Sequence, residues 1–160
     1  MKRRVGLLAV LSALSFAAPA FADEAAARVH FKKGIDLYDK KQFQEALHEF
    51  EGAYKEKPSA GIKQNVALCL KGLNRPAEAA TAFDEALDEG KDTLKPETKQ
   101  AIERELAELT KVVATLLVTV ADEKKSADTV ITIQPAEGPA RSLAPGAHRK
   151  PIRLMPGIYT

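Results

Sequence analysis

The chain has 160 residues, 24 of them basic and 22 acidic, a length that suits one ordinary domain or two small ones. Without Lys2, Arg3 and Arg4 at the amino end, 21 basic residues face 22 acidic ones, a net charge of −1. That balance leaves no basic field of the kind that binds nucleic acid, and Cys69, the only cysteine, excludes an internal disulfide.

Residues 1–22 read MKRRVGLLAVLSALSFAAPAFA. Lys2, Arg3 and Arg4 form a positive start, Val5 to Phe16 a short apolar run, and Ala20-Phe21-Ala22 a small-x-small cleavage site. The run is too short to span a bilayer comfortably, so the pattern predicts export, cleavage after Ala22 and no stable transmembrane span afterwards. The destination is periplasmic or secreted. No cysteine follows the run, so nothing suggests a lipid-anchored amino terminus.

Two segments then repeat. Phe43 to Ala53 reads FQEALHEFEGA and Pro76 to Ala86 reads PAEAATAFDEA. Ala46, Phe50 and Ala53 recur as Ala79, Phe83 and Ala86, each 33 residues later. Residues three and four apart share one helix face, so each segment sets an aromatic ring between two alanines. A second helical segment precedes each copy, with Gly34 and Leu37 in the first matched by Ala67 and Leu70 in the second. Asp39 to Gln42 and Gly72 to Pro76 form the joints, and Lys57-Pro58-Ser59 divides the two units.

A 33-residue period of paired helices resembles the tetratricopeptide repeat (TPR) family over about Ala25 to Gly90. The resemblance implies two antiparallel hairpins in which small residues let helices approach closely and the ring fills the gap beside them. Gly34 and Ala46 are then the close contact of the first hairpin, with Phe50 and Ala53 meeting the helix that starts near Ala60. Ala67, Ala79, Phe83 and Ala86 do the same in the second. His30 and Lys63 stand where the family's first helices carry a large aromatic.

Stacked repeats need a solvating end. Pro96 to Val113, PETKQAIERELAELTKVV, supplies a capping helix with Ile102, Leu106, Leu109 and Val113 as one apolar stripe. The same stripe offers an alternative, a coiled-coil seam between two copies.

After Val113 the apolar period becomes two. Leu116, Val118 and Val120 alternate with Leu117 and Thr119, Asp122 to Lys125 make a turn, and Val130 to Ile133 reads as a second strand. A long loop leads to a strand at Ile152 to Leu154 and to Pro156-Gly157, a pair suited to a type II turn. Ala127 to Ile133, Pro151 and Pro156 to Thr160 resemble a PEGA-type β-domain, although Ser126 stands where that family prefers glycine. The sequence stops inside what should be the last strand. Three strands are marginal alone, so either the chain continues beyond Thr160 or the β unit leans on the helices. The expected fold is mainly α: a signal peptide over 1–22, two TPR-like hairpins with a capping helix over 23–113, and a small antiparallel β segment, whole or cut short, over 114–160.

Chemistry finds little support. His30, His48 and His148 lack metal-ligand spacing, and no phosphate loop or nucleophile elbow appears. Cys69 sits in the apolar run Val66 to Leu70 as a buried thiol. Neither catalysis nor a metal or cofactor is expected. The TPR resemblance implies instead a groove on the inner faces of the first helices, taking Phe31, Ile35 and Tyr38 from one unit and Gln64, Asn65, Leu68 and Lys71 from the next. The family's carboxylate clamp needs polar residues where Phe31 and Ile35 stand, so the groove should be partly apolar and suit an amphipathic helix or an apolar peptide. An equal alternative covers Phe31, Ile35 and Tyr38 with the amino-terminal tail or the β segment. The implied function is an exported, non-enzymatic scaffold that holds a protein or peptide in the cell envelope, in association with the cell wall or outer membrane. The alternative places a wall- or glycan-binding module in the β segment, with the helices as spacer.

Overall fold

A computed structural model describes residues 20–118, 130–143, 145–146 and 149–160, with side chains from Glu24 onward. The described residues are mainly helical, with α1 (Ala20–Asp39), α2 (Phe43–Glu56), α3 (Ala60–Gly72), α4 (Pro76–Glu89) and α5 (Pro96–Leu109). Short strands follow: β1 (Ala114–Leu116), β2 (Thr132–Ile133), β3 (Arg141–Ser142) and β4 (Ile152–Leu154). The positive start and apolar run of the expected signal sequence lie outside the described residues, and the expected cleavage point falls within the first turn of α1.

The 33-residue period is built into the backbone. α2 and α4 each have 14 residues and begin and end 33 apart, and α1 and α3 end 33 apart. Both hairpin turns close through one pattern: Gln42 N–H donates to the Leu37 carbonyl at 3.0 Å, and Arg75 N–H donates to Leu70 at 3.0 Å. Each turn places one residue in the left-handed region, Lys41 at φ 60° and Asn74 at φ 56°. Asparagine tolerates that conformation through its short polar side chain, whereas lysine gains nothing local from it. Pro76 sits in the first turn of α4, where its missing N–H costs no helical bond. Ser59 caps α3 by accepting the Ile62 N–H at 3.3 Å.

Each helix packs mainly on its neighbours in sequence, α1 on α2, α2 on α3, α3 on α4 and α4 on α5. Gly34, Ala46, Phe50, Ala53, Ala67, Ala79, Phe83 and Ala86 are all buried, and the two rings are among the largest fully buried side chains. Phe50 departs from the expected arrangement in one respect. Its ring lies over Gly34, where an added Cβ would meet it at 2.8 Å, and it packs edge-on against Phe31 at a centroid distance of 5.6 Å. The aromatic therefore closes its own hairpin as well as filling the shared core. Gly34 is required because any side chain there would occupy the space of the ring.

α5 behaves as a cap. Ile102, Leu106 and Leu109 join the helical core and Val113 is buried just beyond the helix. The stripe is consumed inside the chain, so it does not form the outward-facing seam that a coiled-coil dimer needs.

The β segment is small and antiparallel, as expected, and its described strands are short. β1 pairs antiparallel with β4 and β2 pairs antiparallel with β3, in separate two-stranded sheets. β1 stops at Leu116, and Leu116 and Leu117 are both exposed, so these two do not divide between an inner and an outer face as expected. Val120 and the turn at Asp122 to Lys125 lie outside the described residues, as does the start of the strand expected from Ala127. Val130 and Ile131 precede the next strand rather than belonging to it. β3 lies within the stretch read as a long loop. Gly157 is not among the glycines with positive φ, so Pro156-Gly157 forms no type II turn. The Tyr159 hydroxyl instead donates to the Met155 carbonyl at 2.6 Å, and Tyr159 bridges to Pro135.

The segment leans on the helices. Arg153 on β4 donates to Asp84 on α4 at 2.9 Å and to Thr115, its cross-strand partner, at 2.7 Å. Lys150 reaches Asp88 one turn farther along α4, at 2.5 Å. Among the described residues, no helix is long and apolar enough to cross a membrane.

Candidate functional site

Helices that alternate along the chain share a face in a stacked array, so α1, α3 and the start of α5 come together across a cavity of about 700 Å³. From α1 come Glu24, Ala27, Arg28 and Phe31, spaced three and four apart along one face. The joint before α3 supplies Lys57 and Ser59, and α3 itself supplies Gly61, Ile62, Gln64 and Asn65. Thr93, Leu94, Lys95 and Thr98 close the far side around the start of α5. The volume falls within the range of ligand clefts.

Three of the expected groove residues meet here: Phe31, Gln64 and Asn65. The others do not line the cavity. Ile35, Tyr38 and Leu68 are half-buried against the helical core, and Tyr38 packs edge-on against Phe43 at 5.4 Å. Phe43 in turn sits over Gly72, which draws the first joint onto the end of α3 and takes Tyr38 with it. Lys71 is exposed and pairs with Glu105 of α5. The expected groove is thus divided, its amino-terminal half open and its carboxy-terminal half filled by packing and one ion pair. Among the described residues the β segment does not line the open half, and the amino-terminal tail lies outside them.

Sequence reasoning missed Arg28, Ile62, Leu94, Lys95 and Thr98. Arg28 lies three residues before Phe31 and shares its face, a usable signal. Leu94 and Lys95 had none, because their approach depends on how α5 folds back. At the mouth, Lys57 pairs with Glu24 at 3.0 Å. The hydrogen bond from Lys57, its charge and a weaker contribution from Arg28 hold the Glu24 carboxyl below the usual carboxylate range.

Two other charged clusters hold the structure together. On the first hairpin Glu49, only 7% exposed, accepts from Lys33 at 2.5 Å and pairs with His30 at 2.8 Å. Lys33 first and His30 second lower the pKa of its carboxyl against the opposing effect of burial. On the second hairpin Lys63 lies 4.0 Å from the centre of the Tyr54 ring and 2.9 Å from Glu85. Burial works against its ammonium, but the Glu85 hydrogen bond and charge, with Tyr54 and Glu89, leave its pKa raised. A second cavity, of about 750 Å³, marks the seam between α4 and the β segment. Asp84, Glu85 and Asp88 border it, each already holding a basic partner.

Among the described residues no His, Cys, Asp and Glu group has the arrangement of a metal site. His30 is tied to Glu49 and His48 is exposed on α2, while His148 lies outside the described residues. Cys69 is fully buried; burial, then the Glu51 charge, pushes its thiol up to about 12, so no nucleophilic thiolate forms at neutral pH. No protein-family model matches the chain, and no curated protein matches it either.

Proposed function

We propose that the chain is an exported, non-enzymatic scaffold of the TPR type that holds a peptide or protein partner in the cavity between α1, α3 and α5 within the cell envelope. The observation that carries this reading is the convergence of Phe31, Gln64 and Asn65, from two successive repeats, on one open cavity. The backbone equivalence of the two hairpins supports it, since a regular array exists to present such a face.

Cleavage after Ala22 would leave Asp23 and Glu24 in the first turn of α1, where carboxylates favour the positive helix end. The paired strands at the carboxy end are the PEGA-like part of the proposal. Their ion pairs to α4 favour a brace for the array over an independent wall- or glycan-binding module.

Two measurements test the proposal. The chain recovered from the envelope should have the mass of a polypeptide starting at Asp23; a chain retaining residues 1–22 contradicts export with cleavage. Gln64→Trp should fill the cavity and abolish recovery of the partner while preserving the thermal melt, whereas Glu103→Trp on the exposed side of α5 should leave recovery unchanged. Equal recovery with both variants sinks the groove.

A further inference from the structure

We infer that the occupant of this cavity is an acidic peptide segment with at least one apolar side chain, its carboxylates on Arg28 and Lys95 and its apolar group on Phe31. This rests on the scaffold reading and adds the chemistry of the partner.

The charged residues lining the cavity are Glu24, Arg28, Lys57 and Lys95. Glu24 and Lys57 satisfy each other in their ion pair. Arg28 acts on Glu24 only weakly through space, and neither Arg28 nor Lys95 has an ion-pair partner among the described residues. What remains is a concave surface with two cations that have no ion-pair partner among the described residues, one on α1 and one at the start of α5. The first turns of α3 and α5 open onto the same space and add potential of the same sign. Phe31, Ile62 and Leu94 line the same cavity, apolar surface that a purely anionic ligand would leave unused. Two cations and apolar side chains in one cavity match an acidic segment carrying a hydrophobic anchor. The chain's own first 22 residues have the wrong sign, since their only charges are Lys2, Arg3 and Arg4.

The test titrates the exported chain with pools of short peptides of equal apolar content, one acidic, one neutral and one basic. Their carboxy termini are amidated, so that only side-chain carboxylates count. Backbone amide shifts at Phe31, Asn65 and Thr98 report occupancy. The acidic pool should bind best, more weakly in added salt, and about tenfold more weakly to the R28Q/K95Q variant. Both side chains are exposed, so the variant should keep its fold, which a thermal melt checks. Acidic binding that ignores the double substitution overturns the inference, and so does a basic pool that binds equally well. If the neutral pool alone moves these amides, the acidic partner is wrong and the groove survives. If no pool moves them, or a second copy of the chain occupies the cavity instead, the groove reading falls too.

Discussion

The two hairpins share a backbone and differ in how they are fastened. Their helices and turns superpose in sequence at a constant offset of 33 residues, down to the hydrogen bonds that close each turn. Yet the first is held by a glycine under a ring and a buried carboxylate with two basic partners, the second by a buried alanine and ring in the common core and a half-buried lysine with acidic and aromatic partners. The common part concerns shape: a small residue, a ring and a left-handed turn residue. The polar fastening differs between the units, and that of the second reaches back to Tyr54 of the first. A repeat therefore constrains packing much more tightly than it constrains charge.

The largest effects should come from the shared part. Phe50→Ala and Phe83→Ala should each destabilise the chain by about 3–5 kcal/mol, as fully buried aromatics do. Chemical denaturation measures both, and a small loss at either site would break the equivalence. Gly34→Ala should cost about 1–3 kcal/mol by driving a methyl into the Phe50 ring.

The polar fastenings should respond to pH in opposite directions. Glu49 has a lowered pKa in the folded chain, so its contribution is present above the unfolded value of 4.5 and is lost as pH falls through the folded value. Lys63 has a raised pKa, so its contribution is present below the unfolded value of 10.5 and is lost as pH rises through the folded value. Melting curves across pH should show Glu49→Gln flattening the acid limb and Lys63→Met the alkaline limb. If each variant shifts both limbs alike, the two hairpins are not fastened separately.

The smallest effect concerns the turns. Lys41→Gly should stabilise by up to about 1 kcal/mol by relieving the left-handed conformation, and Asn74→Gly should change little. Equal responses would mean that the two turns carry equal strain despite their different residues.

The helical half was legible because its signal is strong and periodic. Alanine, phenylalanine and alanine at one spacing, twice over, locate both second helices, and Pro76 and Pro96 mark two starts. That Phe31, Gln64 and Asn65 share one cavity follows from the phase of the repeats. The placing of Tyr38 on Phe43 and of Lys71 on Glu105 does not, because no spacing within one repeat reveals those partners. Arg28 and Lys95 look like ordinary solvated cations until α5 brings its start opposite α1. In the β segment, strands of two and three residues are too short for alternation to identify, and their anchor, Arg153 to Asp84, spans 69 residues.

The central claim is that the face shared by α1, α3 and α5 is where the chain meets its partner. A photo-crosslinking side chain at Asn65, inside the cavity, tests it against the same probe at Glu103 in intact cells. The account predicts one discrete crosslinked protein from Asn65, lost in the R28Q/K95Q background, and none from Glu103. Crosslinks of equal yield from both positions, or from Glu103 alone, would contradict it.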